Sequence, residues 1–130
     1  MVTGSLITDD VRRFVLTSIP SVPYLEAMLL LRAEDTGDWD SVMLANRLYL
    51  SEKAAALLLA ELHDAGILSH DAASPGRYRF APTSEGLRQI IDQVAAAYST
   101  QLVAMTNLIH SKSGRKAQQF ADAFKWRKDS

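Results

Sequence analysis

The chain has 130 residues, with 14 Lys and Arg against 15 Asp and Glu, three His, no Cys and 48% hydrophobic content. That length suits one domain with an appendage, and the apolar share excludes wholesale disorder. The absence of cysteine excludes disulfides, thiolate metal sites and cysteine nucleophiles.

Met1 to Asp10 lack a basic region followed by an apolar run, so no signal peptide is expected. Asp9 to Thr17 read as a first helix, capped by Asp9 or Asp10, with Val11, Phe14 and Val15 at helical spacing. Pro20 and Pro23 break the pattern, because each disfavours helix in the residue before it. Ser21 can cap a second helix from about Pro23 to Arg32, whose Leu25, Met28, Leu29 and Leu31 predict burial. The apolar stretch Leu25 to Leu31 falls short of the roughly 20 residues that cross a bilayer, so a cytoplasmic protein without membrane contact is expected.

The acidic turn Glu34 to Asp38 leads to Asp40 or Ser41, either of which can cap a short helix from Ser41 to Leu48. After the Tyr49-Leu50 turn, Ser51 caps a helix from Glu52 to Asp64, stopped by Gly66. Two short β-type runs, Ile67 to His70 and Arg77 to Phe80, flank Pro75-Gly76 and read as a hairpin. Alternation sends Tyr78 and Phe80 to one side and Arg77 and Arg79 to the other. Thr83 or Ser84 then caps a long helix with one apolar stripe: Leu87, Ile91, Val94, Tyr98, Leu102, Met105 and Ile109. Gly114 interrupts it, and an amphipathic stretch with Phe120, Phe124 and Trp126 follows. From Ile109 to Ser130 six bases face two acids, a net +4, so the preceding 108 residues carry −5. A basic tail on an acidic body can contact phosphate or an acidic partner surface.

The order helix, helix, short helix, turn, helix, hairpin, long helix resembles the winged helix-turn-helix regulators of bacteria, of the MarR and PadR type. The residues that carry the resemblance are Asp40-Ser41, Leu44-Ala45, Leu48, Leu50-Ser51, Ala55, Leu59, Leu62 and Asp64-Ala65-Gly66-Ile67-Leu68. Arg77-Tyr78-Arg79-Phe80 leading into Thr83-Ser84-Glu85-Gly86 completes it. The resemblance spans roughly Leu25 to Tyr98. It implies a mainly α fold with a small β-hairpin, and a helix after the wing that forms a homodimer. Three segments are expected: residues 1–83 as the winged helix with its N-terminal helices, 84–110 as the dimerisation helix, and 111–130 as the basic tail.

The resemblance further implies a transcriptional regulator of duplex DNA. Ser51 and Lys53 would enter the groove, Arg77 and Arg79 would sit on the wing, and Lys112, Arg115 and Lys116 would add phosphate contacts. The stripe from Leu87 to Ile109 would form the dimer seam. The helix from Glu52 departs from that pattern. Base edges are matched by Arg, Lys, Asn or Gln, and this helix offers one base, Lys53, against Glu52, Glu61 and Asp64. Its Ala54, Ala56, Leu57 and Ala60 suit protein contact, which leaves a protein-interaction module as the alternative. His63, His70 and His110 are scattered, so no metal site is expected, nor a cofactor. No nucleophile with its base and no glycine-rich phosphate loop is present, and an enzyme is not expected.

Overall fold

The computed structural model describes residues 7–35, 37–70 and 72–111. It is mainly helical, with one small antiparallel sheet. In chain order the elements are α1 (Asp9–Ser18), α2 (Val22–Ala33), α3 (Ser41–Leu48), α4 (Glu52–Asp64), β1 (Leu68–His70), β2 (Tyr78–Phe80) and α5 (Glu85–Thr100). A further helical run, α6, covers 102–111. The expected 111–130 tail beyond Ser111, with Gly114, Phe120, Phe124 and Trp126, lies outside the described residues.

The chain divides into two compact units, Pro23–Ala95 and Met1–Val22 with Ala96–Ser130. In the first, α3 packs on α4 and α4 on β1. Leu25, Met28 and Leu31 of α2 are buried, as are Leu44 and Ala45 of α3 and Ala55, Leu59 and Leu62 of α4. Ile67, Leu68, Phe80, Ile91 and Val94 complete this apolar core. No polar or charged residue is buried among the described residues, so folding here rests on apolar burial and satisfied backbone. Tyr24 is the nearest exception, with a phenol held up from its ordinary pKa by burial and, secondarily, by the Glu61 charge.

The helix starts follow local chemistry. Asp40 accepts a hydrogen bond from the Met43 N–H (2.9 Å), Ser51 from Ala54 (3.1 Å) and Ser84 from Leu87 (3.1 Å). In the second unit, Thr8 rather than Asp9 or Asp10 caps α1, accepting from the Val11 N–H at 3.2 Å. The two aspartates occupy the first turn, where the helix dipole favours them.

α4 ends in a left-handed cap. The Ile67 N–H donates to the Leu62 carbonyl (3.0 Å) and the Gly66 N–H to that of His63 (2.9 Å). Ile67 and Leu62 are both buried beside this pattern, the apolar contact that accompanies it. Gly66 has φ +81, and a Cβ there would lie 2.9 Å from Thr83 Oγ1. Gly66→Ala is therefore expected to lower stability by about 1–3 kcal/mol, read by urea unfolding. An unchanged midpoint would show that the left-handed cap is not what ends α4.

β1 and β2 pair Leu68 with Phe80, Ser69 with Arg79 and His70 with Tyr78. Trp39 extends the sheet by one bridge: its N–H donates to the Tyr78 carbonyl (2.7 Å) and the Tyr78 N–H donates back (2.8 Å). The acidic turn before α3 is thereby tied to the hairpin.

The expected single helix over 84–110 is interrupted at Gln101. Just before the break, Ser99 Oγ and Thr100 Oγ1 donate back to the Ala96 carbonyl at 2.9 and 3.1 Å, a bonding pattern that bends helices. In the second unit, Val11, Val15, Ile19, Ala97, Met105 and Ile109 are buried.

Candidate nucleic-acid interface

α3, the turn at Tyr49 and α4 place the first group of candidate residues. Ser51 is exposed, but its hydroxyl is engaged in capping α4, which leaves it one further lone pair and its proton. Lys53 is exposed one helical position into α4. The outer face of α4 also exposes Glu52, Ala56, Leu57 and Glu61, with Leu57 61% exposed. Val42 and Met43 of α3 are 47% and 41% exposed. The surface on this helix pair is therefore largely apolar and acidic, with two cations, Lys53 on α4 and Arg47 on α3, the latter paired with Glu34.

Tyr49 was not anticipated as a site residue. It caps α3 with φ +58 and is 94% exposed. A left-handed tyrosine costs roughly 1–2 kcal/mol, and no burial offsets it here. Its signal in the sequence is faint: a bulky residue where a C-terminal glycine would serve better. Tyr49→Gly is expected to raise stability by about 1 kcal/mol in thermal melts, and a fall would show that the ring is packed in solution.

The hairpin carries the second group. Arg77 is exposed and has no ion pair among the described residues. Arg79 donates to Asp38 Oδ1 through Nε (3.2 Å) and Nη2 (2.9 Å). That pair is exposed, with 61% and 37% of the two side chains accessible, so it is worth at most about 1 kcal/mol and can exchange for another anion. Arg77, Arg79, Ser69, His70, Ser74 and Asp38 line a cleft of about 270 Å³. Five of these six can donate to an anion, and the sixth is matched by Arg79.

Behind the cleft the scaffold is braced. Arg47 grips Glu34 with two parallel hydrogen bonds, one at 2.9 Å, and its guanidinium lies 5.6 Å from the Trp39 ring centre. The Arg47 hydrogen bond holds the Glu34 carboxyl below the usual glutamate range. Trp39 Nε1 donates to the Glu34 carbonyl (3.1 Å). Arg88 of α5 sits over Phe80 at 5.6 Å.

His63 and His70, two of the three histidines that looked scattered, meet Tyr78 at one end of α4. Their ring centres are 4.4, 5.7 and 5.8 Å apart. The hairpin register brings them together, and no helical spacing could have shown it.

The apolar stripe is divided between core and surface. Ile91, Val94, Met105 and Ile109 are at most 1% exposed within the single chain. They cannot also line an open seam. Leu87 and Tyr98 are half-buried, and Leu102 is 52% exposed beside Val103 at 71%. Periodicity identified the apolar face correctly but not what covers it. Lys112, Arg115 and Lys116 lie outside the described residues.

Compared with known protein families, curated proteins and solved structures, the chain matches none. Among the described residues no single helix is long and apolar enough to cross a membrane.

Proposed function

We propose that this chain is a winged-helix regulator that binds duplex DNA as a homodimer, α4 facing the major groove and the β1–β2 hairpin serving as the wing. The observation that carries the reading is the cleft beside Arg77 and Arg79, where two exposed guanidinium groups and three further donors surround a space open to an anion. Phosphate contacts of this kind fix a protein on the duplex without reading sequence. Lys53, the Ser51 hydroxyl and the exposed Tyr49 phenol stand ready on the helix side. The bases of 112–130 supply further positive charge, which the Pro23–Ala95 unit needs: it holds eleven acids against six bases, a net −5. A regulator of this kind works in the bacterial cytoplasm without a cofactor.

The dimer would form through the exposed Leu102 and Val103 of α6 rather than through the whole stripe. Symmetric dimers also suit two half-sites on one duplex.

The exposure of Leu57, Val42 and Met43 favours a second reading, a protein-interaction module built on the same helix pair. Amide shift mapping separates the two. Titrating a random-sequence duplex into 15N-labelled protein should move resonances at 51–57 and 74–79. Shifts confined to 112–130 would reject the winged-helix interface and advance the protein-binding reading.

A further inference from the structure

Two imidazoles converge where α4 meets the hairpin. His63 is in the last turn of α4 and His70 ends β1. Their ring centres are 4.4 Å apart and their planes cross at 50°. We propose that His63 and His70 form a two-ligand chelate for a tetragonal divalent transition-metal ion, Ni²⁺ or Cu²⁺, that ties the end of α4 to the hairpin.

The spacing carries the proposal. A metal-bound imidazole nitrogen lies about 2.0–2.1 Å from the ion, which puts the ring centre about 3.2 Å from it. Two such rings at a right angle around the ion have centres about 4.5 Å apart, and at a tetrahedral angle about 5.2 Å. The observed 4.4 Å is within about 1 Å of both values and nearer the right angle, the bite of tetragonal Ni²⁺ and Cu²⁺ sites. Both rings reach solvent: the His63 side chain is 36% exposed and His70 is exposed. They can therefore turn their nitrogens onto one point without opening the core.

The surroundings are mixed in charge. Asp64 Oδ1 lies 3.8 Å from His63 Nδ1, close enough to orient the ring after a small shift. The C-terminal end of α4 favours positive charge. On the hairpin side, Arg77 and Arg79 share the cleft with His70 and oppose a cation, while Asp38 offsets one of them. Tyr78 supplies an apolar edge to both imidazoles. Among the described residues no group of three or more His, Asp or Glu is arranged to hold a metal ion, so water fills the remaining positions.

Calorimetric titration of the full chain with Ni²⁺ at about pH 7.5 tests the site. One equivalent should bind and raise the melting temperature, because the metal binds the folded chain preferentially. His63→Gln and His70→Gln should each weaken binding by about tenfold or more, with circular dichroism confirming the fold. His110→Gln should leave binding intact, and Mg²⁺ should give no heat. Absence of Ni²⁺ binding to the unaltered chain would overturn the proposal, as would binding that survives His63→Gln or His70→Gln. None of these outcomes depends on whether the chain binds DNA.

Discussion

Leu62→Ala is expected to destabilise the chain by about 3 kcal/mol, within the range for a fully buried leucine. Leu62 is 0% exposed and sits where three structural duties coincide. It belongs to the inward face of α4, its carbonyl accepts the Ile67 N–H that turns the chain out of the helix, and its side chain is buried with that of Ile67. Alanine would remove the packed side chain and leave a cavity that the backbone pattern resists closing. A domain with about 5–15 kcal/mol of total stability would lose a large fraction of it, a fall in melting temperature of roughly 10 °C. Leu57→Ala, five residues earlier on the same helix, is the matched control. Leu57 is 61% exposed, so its loss should change stability by no more than about 0.5 kcal/mol. Equal effects at the two positions would mean that α4 presents a different face to the core.

The second large effect is expected on binding. Arg77→Ala combined with Arg79→Ala should weaken affinity for duplex DNA by about tenfold or more and flatten its salt dependence. Each phosphate contact removed lowers the slope of log affinity against log salt by about 1, so the pair should remove about 2 per protomer. Stability should hardly move, because both side chains are exposed and the one ion pair lost, Arg79 to Asp38, is a surface pair. Asp38→Asn is the informative companion. It frees Arg79 without removing it and should strengthen binding slightly. An unchanged salt slope in the arginine double variant would remove the hairpin from the interface.

Helix ends were legible in the sequence wherever the determinant is local. Asp40, Ser51 and Ser84 accept a backbone N–H three residues on, and Gly66 closes α4 at the expected place, so α4 runs from Glu52 to Asp64 as read. The cap of α1 was misplaced by one or two residues because threonine, though ranked below aspartate, also caps helices. Features that depend on chain segments meeting were not legible. Arg79 and Asp38 are 41 residues apart in sequence, and nothing local couples them. The convergence of His63 with His70 required the hairpin register. The stripe from Leu87 to Ile109 showed an apolar face, but burial of Ile91, Val94, Met105 and Ile109 within the chain is a property of packing. Its interruption at Gln101, beside the back-bonded hydroxyls of Ser99 and Thr100, is not registered by an apolar pattern. Of the candidate site residues, Lys53, Arg77 and Arg79 are exposed, while Lys112, Arg115 and Lys116 lie outside the described residues. The left-handed backbone of Tyr49 was not legible in the sequence.

The most direct test is fluorescence anisotropy of the unaltered chain with random duplex DNA across a salt series. The account predicts binding at low salt whose affinity falls steeply as salt rises, with a slope reporting several phosphate contacts per dimer. No binding at the lowest salt would contradict it, and the exposed apolar face of α3 and α4 would then be read as a surface for protein.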